Sequence, residues 1–156
     1  MGYICGFTKE FSEKILRYVL TGEEINLGEK IYIGVGSLPL VSGLTPDYNI
    51  THEPLDSAYE RRNVDRIHWE IESLEDGSGS VAKYTGSDDI KFPEAEESWG
   101  EIKYIGFFDE EGVLIAQSKI KSPKQIDAEE TLILKKGSLM FILKGTDSDE
   151  IDESNV

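Results

Sequence analysis

Ile102-Lys-Tyr104-Ile-Gly106-Phe-Phe108-Asp109-Glu-Glu-Gly112-Val-Leu114-Ile-Ala-Gln-Ser-Lys-Ile120 decides the fold class. Two runs rich in β-branched and aromatic residues flank a short acidic stretch closed by glycine. That pattern is the signature of a β-hairpin. Residues 102–108 form the most apolar strand candidate of the chain. Residues 113–120 return beside it across the 109–112 loop.

Working outward, strand signals recur at short, turn-punctuated intervals. Downstream, residues 131–134 and 138–143 read as a last strand pair across Lys135-Lys136-Gly137. Upstream, residues 90–92 and 81–85 are short strand candidates around a Gly86 turn, and residues 75–80 read as a turn or short flexible loop. Residues 66–72 alternate strictly, with Ile67, Trp69 and Ile71 on one face, and so predict an amphipathic strand with one buried side. Residues 37–63 carry Pro39, Pro46 and Pro54 and predict a long irregular connection, a length that in compact domains usually serves contacts or function. Residues 30–35 (Lys-Ile-Tyr-Ile-Gly-Val) predict another strand.

The one clear helix comes first. Thr8 is a good N-cap, Phe11, Ile15, Leu16, Val19 and Leu20 follow at helical spacing, and Gly22 is a stop. Its apolar stripe must lie on something. The expectation is a mainly β fold: an antiparallel β-sandwich of Greek-key or jelly-roll-like arrangement with one N-terminal amphipathic helix. Residues 1–144 read as a single domain and residues 145–156 as an acidic, flexible tail.

The charge excludes some partners. With 31 acids against 16 bases the net charge is −15, which argues against sequence-independent nucleic-acid binding and against docking on anionic membranes. Five of the acids lie in the last twelve residues, so the body carries −10. A single cysteine, Cys5, permits no internal disulfide and predicts a protein made in a cytosol.

The catalytic inventory is sparse. His52 and His68 are the only histidines, and no spacing joins them to a carboxylate as zinc requires. Gly34-Val-Gly36-Ser37 follows a strand but lacks the third glycine of a dinucleotide fingerprint and the lysine of a P-loop. The acids Asp88, Asp89, Glu94, Glu96 and Glu97 do not follow the alternating calcium-loop pattern and read as a solvated loop. Lys119, Lys121 and Lys124 form the nearest approach to a basic patch. These features predict no catalytic residue, no metal and no cofactor.

Three stretches together carry a resemblance. The first is Phe11-Ser-Glu-Lys-Ile-Leu-Arg-Tyr-Val-Leu-Thr-Gly22, followed by Ile31-Tyr-Ile-Gly-Val35. The second is Ala58-Tyr59-Glu60-Arg61. The third is Phe92-Pro93-Glu-Ala95-Glu-Glu-Ser-Trp99-Gly100, leading into the strand that ends Gly106-Phe-Phe108-Asp109 and returns through Gly112-Val-Leu114-Ile. Lys124-Gln-Ile126-Asp-Ala-Glu129-Glu130-Thr-Leu132 follows, with Glu129-Glu130 where the pattern has Gly-Asp. In this order the stretches resemble the small tailed-phage structural proteins labelled tail fibre or minor structural proteins.

The resemblance implies a non-enzymatic virion component, present in many copies, made in the host cytoplasm and displayed on the particle. Capsid decoration, head fibre and tail- or fibre-associated positions all fit it. It implies as partners other virion proteins and copies of the chain itself. Phe92, Pro93, Trp99, Gly100, Gly106, Phe108 and Asp109 are then the fold motif. Tyr48, Tyr59, Arg61 and Arg62 are the candidate partner contacts. The alternative is a carbohydrate- or receptor-binding module, in which Tyr48, Tyr59 and Tyr84 would hold a host-surface glycan.

Overall fold

In the computed structural model the described residues are 6–46, 48–135 and 140–144. The chain is mainly β, with one substantial helix near its start. It divides into two compact units: residues up to Arg66 together with Ile90–Ile133, and Ile67–Asp89 together with residues from Leu134 onward.

The first unit is built on a five-stranded antiparallel sheet. Its strands are β1 (Gly6–Phe7), β2 (Lys30–Gly36), β3 (Arg62–Asp65), β7 (Gly100–Phe108) and β8 (Leu114–Ile126), in the order β1-β8-β7-β2-β3. The β7–β8 hairpin lies at its centre. Asp109 Oδ1 accepts from the Glu111 and Val113 amides at 2.8 and 2.9 Å, and Gly112 turns the chain at φ 80°. An aspartate that satisfies two loop donors while glycine takes the left-handed position is what fixes this turn. Ile33, Val35, Ile102, Phe108, Leu114 and Ala116 are among the buried side chains of β2, β7 and β8.

β8 outruns its expected end, continuing through Pro123 to Ile126. Tyr104 pairs with Lys119 and Ile102 with Lys124, so β8 carries three extra residues against β7 there. Such a bulge, on a strand with no described neighbour beyond Gln117 on its other side, accommodates a proline that lacks an N–H.

Helix α1 (Lys9–Thr21) has the predicted caps. Thr8 Oγ1 accepts from the Phe11 amide at 3.2 Å, and Gly22 ends the helix at φ 76° with its amide on Tyr18 O. Only Phe11 is buried, with its ring 5.3 Å from Phe7. Of the expected apolar stripe, Phe11 is buried and Ile15 half-buried, while Leu16, Val19 and Leu20 are exposed.

The second unit is a three-stranded antiparallel sheet, β10-β5-β4, of β4 (Trp69–Ser73), β5 (Gly79–Tyr84) and β10 (Met140–Lys144). Two expectations are corrected here. Residues 66–72 are not one strand: Arg66–His68 form a 3-10 turn and the strand begins at Trp69. Arg66 explains the break, because its amide bonds Glu29 O and its guanidinium bonds Gly28 O, which holds it at the entrance of β2. Nor is the predicted inward face all buried, since Ile71 is 73% exposed.

The last two strands also do not pair with each other. β9 (Ile133–Leu134) joins β6 (Ile90–Lys91), while β10 completes the β4–β5 hairpin, Met140 opposite Lys83. A lone two-stranded hairpin is marginal in water, and the third strand relieves that. β9 instead lies beside a loop already stitched by Phe92 N to Leu132 O and Glu129 N to Ala95 O. Glu129 takes φ 71°, a conformation that suits glycine better. Cys5, Ser138 and the acidic tail lie outside the described residues.

Candidate functional site

The proline-bearing segment between β2 and β3 is the place where motif residues converge. It is not featureless: it holds the short helix α2 (Tyr48–Thr51) and ends as β3. Two glycines of β2 let it lie against the sheet. A Cβ at Gly36 would collide with the His52 carbonyl, and one at Gly34 would come 2.7 Å from Glu53 Oε2. The Gly34-Val-Gly36 pattern thus serves close backbone approach rather than phosphate binding. His52 is half-buried, at φ 64°, and its Nδ1 donates to Pro39 O at 2.6 Å. It ties the segment to itself rather than standing on the surface.

At the bottom of this segment Glu53 is fully buried, with 0% exposure. Arg61 grips both its oxygens, Nη2 to Oε1 at 2.6 Å and Nε to Oε2 at 3.0 Å. Tyr59 donates its hydroxyl to Oε2 at 2.6 Å and accepts from the Val35 amide at 3.0 Å. Arg61 Nη1 reaches Gly43 O at 2.8 Å, and the guanidinium lies 3.7 Å over the Phe108 ring. A planar fork that pairs bidentately and stacks on an aromatic face suits arginine specifically. Burial, and then the Glu53 charge, push the Tyr59 hydroxyl well above its ordinary pKa, so it remains a neutral donor.

A second carboxylate pins the Phe92–Gly100 stretch. Asp56 Oδ2 accepts from Trp99 Nε1 at 2.9 Å and from the Glu96 and Glu97 amides at 2.8 and 3.1 Å. Its Oδ1 accepts from the Ala58 amide at 3.1 Å. Desolvation alone would raise the Asp56 pKa, but the hydrogen bonds from Ala58, Trp99, Glu97 and Glu96 outweigh it and hold it below 3.8. Tyr59, Phe92 and Trp99 close a three-ring cluster, Tyr59 edge-on to Trp99 at 5.3 Å and stacked on Phe92 at 6.2 Å.

A group whose folded-state pKa is depressed adds stability above its unfolded value and loses it as pH falls through the folded value. The wild type should therefore unfold more readily as pH drops below 3.8. Urea melts of the wild type and Asp56→Asn across this range isolate the effect, and the two should converge at low pH. Curves that stay parallel would assign the acid sensitivity elsewhere.

Of the fold-motif residues, Phe92 and Trp99 meet in this ring cluster. Phe92, Trp99 and Phe108 are buried, Gly100 turns at φ 73°, and a Cβ at Gly106 would press on Leu40 and Leu114. Asp109 caps the hairpin, and Pro93 sits just past β6. The candidate partner contacts divide differently. Tyr59 and Arg61 are buried and bonded within the chain. Arg62 is half-buried, with Nε on Lys91 O, and Tyr48 opens α2.

Glu53 and Asp56 escaped the sequence reading. Acids in a polar, proline-punctuated stretch carry no mark of burial, and their side-chain partners lie 6 to 43 residues away. The cluster is a closed one: Glu53 already receives two arginine donors and a phenol, so its chemistry is to join the segment to the sheet. Among the described residues, no three of His, Cys, Asp and Glu gather as a metal set.

A family model described as "Podophage GP4 fiber I protein gp80" matches residues 6–141. No curated protein matches the chain.

Proposed function

The chain belongs to the podophage GP4 fiber I family, and from that premise we propose that it is a multi-copy, non-enzymatic fibre component displayed on a tailed-phage particle. As a phage fibre protein it is a virion component made in the host cell. The observation that carries the reading is the extent of the match, which runs from β1 into β10 and takes in every motif residue.

The geometry favours scaffold over catalysis. The buried acids Glu53 and Asp56 are engaged by arginine, phenol, indole and amide donors, all of which hold backbone in place. The Glu96 and Glu97 side chains of the best acid cluster are exposed, while their amides are spent on Asp56. We take the position on the particle to be fibre-associated, in keeping with the family description, rather than capsid decoration. Residues 1–144 act as one assembly module in this reading, with the acidic stretch 145–156 as a solvating end.

Mass spectrometry of purified, washed particles should find the chain at many copies per virion, and a particle reconstruction should place its density in a fibre. Absence from washed virions would overturn the proposal. Density on the capsid faces would keep the virion role and overturn the fibre position.

A further inference from the structure

Strand β4 is the outer strand of the second unit's sheet, and among the described residues no strand lies beyond it. Its bonding to β5 fixes which backbone groups look outward. Leu74 N donates to Gly79 O at 2.9 Å, and Thr85 N donates to His68 O at 2.7 Å. Residues of an antiparallel pair alternate between bonding the partner strand and turning away from it. His68 and Leu74 both bond inward and are an even number of positions apart, so Glu70 and Glu72 bond inward as well. The N–H and C=O groups of Ile71 and Ser73 therefore point to the outer edge.

The side chains divide by the same alternation. Ile71 stands on the face that carries the Trp69 and Tyr84 rings, which lie 5.7 Å apart, and it is 73% exposed. Glu70 and Glu72 stand on the other face, both exposed, opposite Lys83 and Val81. Lys83 reaches Glu72 at 3.2 Å. It is the single base of residues 69–84 against four acids, Glu70, Glu72, Glu75 and Asp76. The edge is thus acidic on one face and apolar on the other.

That pattern selects what can be added to it. Charge on an edge strand discourages pairing with its own kind. A second β4 laid along the edge, Ile71 opposite Ile71, would set Glu70 against Glu72 on both sides, and like charges directly opposite destabilise a strand pair. A strand of the opposite pattern meets no such penalty: a base across from each glutamate and an apolar β-branched residue across from Ile71.

We infer that the β4 edge is the docking site for an extended basic–apolar–basic segment of another virion protein, which joins the sheet as an added strand. The outward groups of Ile71 and Ser73 supply its main-chain hydrogen bonds, and alternate side chains set the preference for that sequence. The net charge of −15 steers a basic segment towards the chain before contact. A five-residue edge makes a weak contact by itself, and repetition of the site along a fibre would strengthen it. The inference rests on the fibre reading for the kind of partner. The docking itself is tested on the purified chain, so its failure is distinguishable from absence of the protein from virions.

Hydrogen exchange of the full chain, followed by nuclear magnetic resonance, should find the Ile71 and Ser73 amides fast and the Glu72 amide slow. The probe is the end-capped peptide Thr-Lys-Val-Lys-Thr, with Thr-Glu-Val-Glu-Thr as control. At millimolar concentration the lysine peptide should shift residues 69–73 saturably and slow the Ile71 and Ser73 amides about tenfold, and the glutamate peptide should do neither. Glu70→Lys with Glu72→Lys should invert the preference while keeping the melting temperature, because both side chains already face water. In purified particles that contain the chain, residues 69–75 should exchange more slowly than in the free protein. No response to the lysine peptide overturns the inference. So do equal responses to the two peptides, Ile71 and Ser73 amides already slow in the free chain, or unchanged exchange in particles. If the double variant fails to fold, the comparison of the two peptides on the wild type decides alone.

Discussion

Arg61→Ala should be among the most damaging single substitutions in this chain, costing about 3–5 kcal/mol in urea or thermal unfolding. Removing the guanidinium leaves Glu53 fully buried with Tyr59 as its remaining side-chain donor. It also frees the Gly43 carbonyl and uncovers the Phe108 ring. The penalty arises mainly from the stranded charge rather than from a strong native pair, because a buried ion pair gains little net energy once both desolvation costs are met. That distinction has a readout. Glu53→Gln placed on top of Arg61→Ala should return part of the lost stability, since an amide costs less than an unpaired carboxylate to keep out of water. If the second substitution instead destabilises further, the stranded-charge account fails.

Asp56→Ala should cost on the order of 3 kcal/mol, since each buried donor left unmet costs roughly 1–3 kcal/mol. The Trp99 indole N–H is the most enclosed of the four donors, with its residue 5% exposed. The Glu96 and Glu97 amides belong to exposed residues, so water can take over part of their demand. Calorimetric melts of Asp56→Ala, Trp99→Phe and the double variant measure the shared part. Trp99→Phe removes the indole donor while keeping a ring against Tyr59 and Phe92, so the double variant should lose less than the two singles together. Strict additivity would mean that Asp56 acts only through the backbone amides.

These two side chains also mark where sequence reasoning stopped. Local chemistry was readable: Thr8 and Gly22 bound the helix, and Asp109 with Gly112 turns the central hairpin, because each device acts within a few residues. Strand existence was readable too, from β-branched and aromatic runs. Partner choice was not. Residues 133–134 and 140–144 look like a hairpin by proximity, yet each finds a strand far back in the chain, β6 and β5. Residues 66–72 alternate as a strand should, yet two hydrogen bonds from Arg66 to Gly28 and Glu29 decide its first half. The motif positions around Trp99 were legible through the resemblance, but their anchor, Asp56, lies 43 residues away with nothing nearby to announce it. Likewise, amphipathic spacing correctly places α1, while only the fold reveals how little of its stripe is covered.

The sheet order sets a timetable for synthesis. β1 is made well before β8, with which it pairs by setting Gly6 opposite Gln117, while Thr8 donates its hydroxyl to Leu114 O. Translation at about 5–20 residues per second puts roughly 5–20 s between the emergence of these two strands. During that interval α1 has no sheet to lie on, and its whole apolar stripe, Phe11 included, stands open beside the ribosome. Strand β1 and helix α1 therefore wait for a strand made long after them, and the nascent chain is at its stickiest in that interval.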